Sequence, residues 1–372
     1  MKFCVIDDIK KIDSLEADWI RLNTMTSNEN PFLSWEWNRS WLESFHEVGD
    51  VRIIVISEGD SIVCIAPLLI HNSRLSFLAD DFFADYSDFI TTNDKAFDYE
   101  LLIDIIIDLK GWKKLSLATI PESSGSIKRL GKALKNISLK TEIKCIHLNP
   151  IIDTTGNFED YLTSRSNGIR QELRRSKNKL DKTYSTWEFF EAETPQDRRQ
   201  VMESLIRLHL ARQSGKVGTS IFQEEKNAQF YLDLAANTNP PWRLHLAGIQ
   251  VDGELITASI SIIYQDVLYY WITAFDNKVG GGSIGNLHVK FLAEKCFREG
   301  YKRLDFMGGT EAYKLRWATD TYQNFEVVAY RKSHVFYIEK MWALVRLKLQ
   351  SLKNRSPTVN KMWIKISKLI KK

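Results

Sequence analysis

Residues 267–317 decide the fold, and they read VLYYWITAFDNKVGGGSIGNLHVKFLAEKCFREGYKRLDFMGGTEAYKLRW. An apolar strand leads into a glycine-rich bend at residues 280–285, and an amphipathic helix follows. A short strand then ends at Asp305, just before a second glycine pair at Gly308-Gly309. Glycines let the backbone approach a ligand closely, and the first turn of a helix offers unpaired N–H groups with a partial positive charge. The bend therefore predicts a pyrophosphate site, with a plain tight turn as the alternative.

The same bend spells GxGxxG, and Asp305 follows its last glycine by 20 residues, as in a dinucleotide-binding fingerprint. A dinucleotide fold, however, places these glycines after its first strand, inside a βαβ unit. Here an antiparallel meander precedes the bend, because an Asp-Gly pair between alternating apolar runs is a strong hairpin signal. Its strands are Arg243–Val251, Leu255–Tyr264 and Val267–Phe275. This context argues against the dinucleotide interpretation.

The composition is that of a globular protein. The chain has 372 residues, enough for two cores, with 44% hydrophobic and 26% charged residues. No apolar run approaches the ~20 residues of a membrane-spanning helix, and the N-terminus lacks the apolar region of a signal peptide. The four cysteines lie far apart in apolar stretches, which indicates reduced core residues and no CxxC pair for a metal. We therefore expect a cytoplasmic protein.

Residues 1–150 predict a first α/β domain, with the order strands, helix, strand, helix, strand and no glycine-rich loop of its own. Trp37, Trp41 and Phe45 recur every four residues and predict a helix with a buried face. Pro67, inside the second strand, suggests a sheet edge or a bulge. The expected elements are Val51–Ser57, Ile62–Ile70, Leu75–Leu78, Asp98–Leu109, Lys114–Ala118, Gly125–Asn136 and Ser138–Leu148.

A second domain is expected at residues 151–335, and a basic tail at residues 336–372. Asn149-Pro150 and Asp153-Thr154-Thr155-Gly156 mark the expected linker between the two domains. The net charge is +4, yet residues 340–372 contain ten Lys or Arg and no acid. The tail predicts two short amphipathic basic helices, separated at Pro357. We expect the first to pack on the domain, whereas the second either packs or lies on an anionic membrane surface.

Basic and histidine side chains in the second domain have two interpretations each. Arg170, Arg174 and Lys177 share one side of a helix, which is either a solvated charged face or a phosphate clamp. His209 lies on the apolar face of the helix that begins at Thr194-Pro195. It is either a core residue or part of a cleft next to the segment 212–218.

An acidic cluster in the first domain is equally open. Asp85, Tyr86 and Asp88 follow the third strand, where aspartates are common turn residues facing water. A carboxylate beside an aromatic face is also able to hold a sugar ring or an ammonium group. Both interpretations stand on the sequence alone.

Several short motifs occur in a characteristic order along the chain. They are Asn30-Pro31-Phe32-Leu33-Ser34-Trp35-Glu36-Trp37, Asp85-Tyr86-Ser87-Asp88, Arg170-Gln171-Glu172-Leu173-Arg174-Arg175, His209, Gly282-Ser283-Ile284-Gly285, Asp305-Phe306-Met307-Gly308-Gly309 and Tyr313-Lys314-Leu315-Arg316-Trp317. In this series the chain resembles tandem GNAT acyltransferases with a BioF2-like or cellulose-biosynthesis-type acetyltransferase domain, which are relatives of the Fem peptidyltransferases. The resemblance extends from about residue 30 to residue 330.

The resemblance implies an α/β fold of two tandem GNAT-like domains, each a mixed, mostly antiparallel sheet flanked by helices. The first domain would have lost its own cofactor site. The second would bind acyl-CoA as a co-substrate, without a metal. One departure is that the loop begins Asn277-Lys278-Val279, where the family has Arg or Gln. The residues implied at the coenzyme are Thr273, Ala274, Phe275, Gly280, Gly281, Gly282, Ser283, Ile284 and Gly285.

Acyl transfer to an amine needs a base, donors for the oxyanion and an acid for the leaving thiolate. Asp305 is expected as the base or ammonium holder and Tyr313 as the acid, with His209 lining the site. Lys314 and Arg316 either hold an acceptor phosphate or are ordinary helix-surface charges. The remaining residues expected at the substrate are Asp85, Tyr86, Asp88, Arg170, Arg174 and Trp317. No HExxH motif occurs, so a zinc mechanism of that kind finds no support.

Three functions remain open at this point. The favoured acceptor is the amino group of a nucleotide-linked sugar in surface polysaccharide biosynthesis, with no nucleic-acid partner. The second function is a Fem-like transferase that uses aminoacyl-tRNA. The third is a non-catalytic module that binds a membrane surface through the basic tail, at the inner face of the membrane.

Overall fold

One mixed sheet runs through the whole molecule. The computed structural model describes residues 1–25, 29–79, 83–92, 97–213, 220–237, 241–279 and 282–353. The strands of this described part are β1 Lys2–Ile6, β2 Asp50–Glu58, β3 Ser61–His71, β4 Arg74–Phe77, β5 Ile90–Thr91, β6 Lys114–Pro121, β7 Lys140–Asp153, β8 Trp187–Glu191, β9 Arg243–Val251, β10 Glu254–Leu255, β11 Thr257–Tyr264, β12 Val267–Phe275, β13 Arg303–Asp305 and β14 Asp320–Tyr330. They form a 14-stranded sheet in the order β1-β2-β3-β4-β6-β14-β7-β13-β12-β11-β9-β10, with β5 beside β3 and β8 beside β9.

Helices flank this sheet, and local capping explains where several of them begin. The Ser34 side chain accepts a hydrogen bond from the Trp37 backbone, and Ser166 caps the helix that carries the basic face. Thr194 accepts from the backbone of Asp197 at 3.1 Å. The helices of the described residues are α1 Ile9–Ile12, α2 Glu16–Met25, α3 Trp35–Phe45, α4 Tyr99–Asp108, α5 Ser126–Ala133, α6 Phe158–Ser164, α7 Asn167–Thr183, α8 Pro195–Gln213, α9 Glu225–Ala236, α10 Gly282–Glu299, α11 Ala312–Trp317 and α12 Ser333–Lys353.

The two halves of the chain, residues 1–150 and 151–335, repeat one arrangement. In the first half, β1 to β4 are antiparallel neighbours and β4 then pairs in parallel with β6. In the second half, β9, β11 and β12 form the expected meander and β12 pairs in parallel with β13. The mixed, mostly antiparallel sheet predicted from the sequence is confirmed.

The two halves exchange a strand, which the sequence did not predict. β14, the last strand, lies between β6 and β7 and pairs with both in antiparallel register. β7 in turn reaches β13 of the second half through Asp153, Ile152 and Ile151. The first part of the expected linker, Asn149-Pro150, is therefore wrong, because these residues lie within the continuous strand β7. The second part, from Thr154 to Gly156, does follow the end of β7. The division into domains at this point stays a proposal.

A shared core also joins the halves. The predicted stripe on α3 is buried, and Trp37 is fully enclosed. Its ring lies 5.1 Å from that of Trp271 on β12, in an edge-to-face arrangement, and Phe32 contacts both. The first half therefore supports the central strand of the second.

Pro67 does not mark a sheet edge. It lies within β3, which has β2 on one side and both β4 and β5 on the other. β5 pairs with Cys64 and Ile65, whereas β4 pairs from Leu68 onward. Pro67 falls between these two partners, where its missing N–H costs no hydrogen bond of either pair.

The tail differs from the expectation as well. α12 is one helix of 21 residues, and the second tail helix, with Pro357, lies outside the described residues. The apolar side chains expected to pack are exposed instead, including Met341 at 55% and Trp342 at 51%. Within the described residues, no helix has the length and apolar character to cross a membrane.

Candidate active site

A cavity of about 570 Å³ opens at the carboxyl end of β12. Its wall combines the end of β12 with α8, the first turn of α10 and the region around α11. This volume is in the range of pockets that bind small molecules. The lining residues are His209, Arg212, Ile221, Tyr270, Trp271, Ile272, Thr273, Phe275, Gly285, Asn286, Glu311, Tyr313 and Lys314.

The cavity exists because β12 and β13 separate. Their parallel register covers Val267–Tyr269, whereas β12 continues to Phe275. The chain after β13 turns to β7 instead, where the backbone of Phe306 donates to Pro150 at 2.9 Å. The strand pair therefore forms a wedge, which exposes one side of β12 to a ligand.

A β-bulge shapes β12 beside this wedge. Ile260 pairs with Ile272 and Ser261 pairs with Tyr270, so Trp271 is the extra residue. Bulges bend a strand and redirect its side chains, and they are frequent next to active sites. Here the bulge places Trp271 between the cavity and the aromatic core around Trp37.

The first turn of α10 forms the next part of the wall, and its Asn286 is held from both sides. Its Oδ1 accepts from Trp317 Nε1 at 2.9 Å, and its Nδ2 donates to Glu172 at 2.8 Å. Arg316 completes the network through an ion pair of 2.9 Å with Glu172. Trp317 is fully buried. In this structure Trp317 and Arg316 fix the position of α10 and lie outside the cavity lining, which differs from the expected contact with substrate.

Gly285 leaves space that the protein itself does not need. A Cβ at this position would meet only the ring of Phe275, at 3.6 Å, which is an ordinary van der Waals distance. Packing in the described structure therefore does not require a glycine. The free volume lies in the first turn of a helix, where backbone N–H groups attract anions. This fits the predicted role of the glycine loop at a pyrophosphate, although Gly280 and Gly281 lie outside the described residues.

The other predicted coenzyme residues lie at the cavity, at the beginning of α10 or in the core. Thr273 and Phe275 line the cavity, and Gly282 and Ser283 begin α10. Ala274 and Ile284 are buried instead. Ala274 pairs with Ala258 in the meander, so that residue is able to offer a ligand only its backbone.

His209 lines the cavity, which favours the cleft interpretation over the core interpretation. Its Nδ1 lies 2.7 Å from Ser220 Oγ, and its ring packs edge-to-face on Phe222. Burial, followed by the positive charge of Arg212, lowers the pKa of His209 below its usual value. The imidazole is therefore neutral near pH 7 and able to accept a proton.

Tyr313 lies in the same cavity. Burial raises its pKa, as do the nearby Tyr270 and Glu311, so its hydroxyl keeps the proton at neutral pH. It is thus able to donate a hydrogen bond at neutral pH. Beside it, Lys314 donates to the carbonyl of Gly308 at 2.7 Å and pairs with Glu311 at 3.2 Å. Lys314 consequently holds the turn before α11 while also facing the cavity.

Asp305 does not line the cavity, contrary to the expectation for a catalytic base. The side chain is fully buried and accepts three hydrogen bonds, all within the protein. Tyr86 and the Met307 backbone donate to Oδ1, each at 2.8 Å, and Tyr322 donates to Oδ2 at 2.7 Å. Burial raises the pKa of Asp305 despite these bonds. A base must reach the proton that it accepts. In this structure Asp305 holds the turn that leads to the cavity, and its role as a base stays a prediction.

That turn is strained. Met307 has φ of +59°, a left-handed conformation that costs a non-glycine residue about 1–3 kcal/mol. Its N–H is bound by Asp305, and its side chain is buried. Gly308 and Gly309 follow and lead into Glu311 and Tyr313 at the cavity. The Asp305 carboxylate therefore fixes the backbone that positions this wall.

The acidic cluster of the first half is part of the interior. Tyr86 is buried against Asp305, and Asp88 accepts from Ser126 at 3.0 Å. The backbone carbonyl of Asp85 accepts from Asn324 of β14 at 2.9 Å. None of the three is among the cavity-lining residues of the described structure. Their pattern predicted a polar site but could not separate a ligand from an internal partner.

The basic face of α7 is only partly engaged within the protein. Arg170 donates to the carbonyl of Thr163 and to Asn167, and Lys177 pairs with Asp181 at 2.8 Å. Arg174 is exposed on the same helix. α7 also packs on α10, through the hydrogen bond between Glu172 and Asn286. The phosphate-clamp interpretation of Arg170 and Arg174 stays a prediction.

Seven cavity residues were not predicted as site residues: Arg212, Ile221, Tyr270, Trp271, Ile272, Asn286 and Glu311. Arg212 was seen only as part of a flexible segment, yet its guanidinium lies 4.7 Å from the centre of the Phe275 ring. A bulge in β12 places Trp271 at the cavity, and the beginning of α10 places Asn286 there. The strained turn at Met307 leads to Glu311. The sequence signal that could have found Glu311 was the second glycine pair, two residues before it.

A wedge between two parallel strands, beside a helix that follows a glycine-rich segment, is the arrangement expected of a GNAT fold. Residues 167–315 match the family described as acetyltransferase (GNAT) domain. This match covers α7 to α11 and therefore the whole cavity wall. The chain accordingly contains a GNAT acyltransferase domain.

Solved structures show the same fold over most of the chain. One is a conserved protein of unknown function from Bacteroides thetaiotaomicron VPI-5482, with 14% identity, a TM-score of 0.55, and coverage of 89% of this chain and 100% of that one. FemX has 13% identity and a TM-score of 0.55, with coverage of 88% and 97%. The C-terminal domain of a putative lysylphosphatidylglycerol synthetase from Agrobacterium fabrum has 10% identity and a TM-score of 0.54, with coverage of 89% and 96%. At these identities the likeness shows the fold alone. A search of curated proteins gave no match.

Proposed function

We propose that the protein is an acyl-CoA-dependent N-acyltransferase that acylates the amino group of a nucleotide-linked amino sugar. The observation that carries this proposal is the wedge at β12, where a neutral His209 and a protonated Tyr313 line one cavity with the first turn of α10. These are a base, an acid and an anion-binding helix end in one place.

The residues present fit acyl-CoA. The first turn of α10, with the free volume at Gly285, would hold the pyrophosphate, and the open side of β12 at Thr273 and Phe275 would hold the pantetheine arm. When bound, acyl-CoA supplies a thioester carbonyl to the cavity. Arg170 and Arg174 lie on α7, which packs against α10, and they are the candidates for the one other phosphate of coenzyme A, on the ribose.

In the proposed reaction, His209 and Tyr313 each take part in one proton transfer. The acceptor amine attacks the thioester carbon, so a C–N bond forms and the C–S bond breaks. His209 takes the proton that the nitrogen loses, and Tyr313 gives a proton to the departing sulfur. Proton transfers of this kind contribute about 10²–10⁴-fold to a rate.

Charges at the cavity support an acceptor that carries both an amine and phosphates. Arg212 presents a cationic group, and Glu311 and Lys314, which form an ion pair of 3.2 Å, line the same cavity. A carboxylate attracts an ammonium group, and Arg presents a planar fork to phosphate oxygens. A sugar with an amino group and a diphosphate link combines these two features.

The test is a direct assay of the purified full-length chain. Acetyl-CoA is mixed with a panel of nucleotide-diphosphate-linked amino sugars, and free thiol and acylated product are followed together. We expect thiol release that requires the amino sugar and that falls in His209→Gln and Tyr313→Phe. Acylation of a simple amine without preference for the nucleotide would retain the enzyme class and overturn the acceptor. Product formed from aminoacyl-tRNA, with none from any acyl-CoA, would overturn the donor.

A further inference from the structure

The C-terminal helix α12 presents an apolar face that the described protein does not cover. Tyr337, Met341 and Leu344 follow one another at spacings of four and three residues and are 58%, 55% and 63% exposed. Ile338 and Trp342 form the adjacent row, at 47% and 51%. Residues at these spacings lie on one side of a helix. A tryptophan and five or more large apolar side chains on one exposed face are unusual for a soluble surface.

The opposite side of α12 is attached to the sheet. Glu339 pairs with Lys114 at 2.6 Å and accepts from the hydroxyl of Tyr330 at 2.8 Å. Lys340 pairs with Glu142 of β7 at 2.5 Å. These contacts fix the start of the helix with its polar side inward. The apolar face therefore points away from the protein because the attachment orients it that way.

The charge around this face has one sign. Residues 340–372 contain ten Lys or Arg and no Asp or Glu. Two copies of such a segment would repel each other, whereas an anionic surface would attract it. A helix with an apolar face that includes Trp and with flanking cations is the pattern of helices that lie in the membrane interface.

We propose that α12 docks the protein on an anionic lipid bilayer, with Tyr337, Ile338, Met341, Trp342, Leu344 and Val345 inserted at the level of the headgroups. The excess of Lys and Arg in the sequence from residue 340 to residue 372 favours an anionic surface over a neutral one. This surface is independent of the acyl-transfer site, since none of its residues lines the cavity. Docking would place acyl transfer next to the membrane surface.

The full-length protein tests this with two kinds of vesicle, phosphatidylcholine alone and phosphatidylcholine mixed with phosphatidylglycerol. We expect binding in a flotation assay to the mixed vesicles only, and loss of binding as salt is raised, because the Debye length falls from ~8 Å at 0.15 M to ~3 Å at 1 M. The double variant Met341→Ser/Trp342→Ser should lower vesicle binding by roughly tenfold or more. Both side chains are exposed, so the fold and the thermal midpoint should not change.

A matched control removes exposed apolar groups elsewhere. Phe3 and Met25 are 56% and 57% exposed, and Phe3→Ser/Met25→Ser should leave vesicle binding unchanged. Equal binding by the Met341→Ser/Trp342→Ser variant, or equal binding to both vesicle types, would overturn the proposal. So would a wild-type dimer in light scattering that the same variant converts to a monomer, with no vesicle binding, because the face would then join two copies of the chain.

Discussion

The hydroxyl of Tyr86 donates a hydrogen bond of 2.8 Å to Oδ1 of Asp305, across 219 positions of the sequence. It joins the first half of the chain to β13 of the second, at the point where β12 and β13 begin to separate. Tyr322 of β14 reaches the other oxygen of the same carboxylate. Three chain segments therefore meet on one buried acid, and the turn at Met307 that leads to the cavity depends on it.

Removing the Tyr86 hydroxyl, which donates to Asp305, should destabilise the protein without altering its fold. Tyr86→Phe leaves a fully buried carboxylate short of one hydrogen bond, which costs about 1–3 kcal/mol. The free energy of unfolding in urea should fall by this amount. Tyr337→Phe is the control, because the Tyr337 side chain is 58% exposed and its substitution should change stability little. A Tyr86→Phe variant as stable as the wild type would show that the hydrogen bond is not formed in solution.

The pH dependence of stability should report the raised pKa of Asp305. Burial favours the protonated form in the folded state, so the folded protein holds this proton to a higher pH than the unfolded chain does. The stability contributed by that proton is complete below the unfolded pKa and is lost as pH rises through the folded pKa. Asp305→Asn abolishes the titration.

We therefore expect the variant to gain stability relative to the wild type as pH rises above about 4. Urea unfolding of both proteins across this range measures the difference, in which groups common to both cancel. A constant difference at all pH values would mean that the pKa of Asp305 is the same in both states. A difference that changes in the opposite direction would mean that the hydrogen bonds outweigh burial.

The acidic limb of the activity profile should shift when Arg212 is replaced. Arg212 is the second cause, after burial, of the lowered pKa of His209. Arg212→Gln should raise that pKa and move the fall of kcat/KM on the acidic side to higher pH. NMR titration of the His209 ring gives the same shift without any substrate. An unchanged ring titration in Arg212→Gln would remove Arg212 as a cause, and an unchanged limb alone would remove His209 as the base.

Gly285→Ala should separate folding from ligand binding. The Cβ meets only Phe275, at 3.6 Å, so alanine should stabilise α10 by about 0.5–1 kcal/mol. The same methyl group occupies the volume left for acyl-CoA, and binding of acetyl-CoA in calorimetry should weaken by roughly tenfold or more.

Gly168→Ala in α7 is the matched control for this substitution. Its Cβ would find the nearest atoms at 3.8 Å or more, from Ser166 and Arg316, and it lies outside the cavity lining. It should leave acetyl-CoA binding unchanged. Unaltered binding in Gly285→Ala would place the ligand away from the start of α10.

Local signals predicted the elements of the fold well, because they depend on neighbouring residues. The Asp252-Gly253 turn and the buried face of the helix at Trp37, Trp41 and Phe45 are both found, and His209 lies at the predicted cleft. Asp305 does not line the cavity, because it is buried against Tyr86 and Tyr322, which lie 219 and 17 positions away in the sequence. No local pattern encodes such contacts. The bulge at Trp271 is also invisible in the sequence, since it arises from the register between β11 and β12.

The position of β14 between β6 and β7 determines when the sheet is able to form during synthesis. β6 and β7 leave the ribosome early, but β14, which separates them, follows roughly 180 residues after the end of β7. At roughly 5–20 residues per second, that interval lasts on the order of ten to forty seconds. Throughout it, the nascent chain carries two unpaired strand edges, which are templates for aggregation. The yield of folded protein should therefore depend on translation speed and on chaperones. This dependence should be stronger than for a GNAT enzyme in which neighbouring strands of the sheet are also neighbours in the sequence.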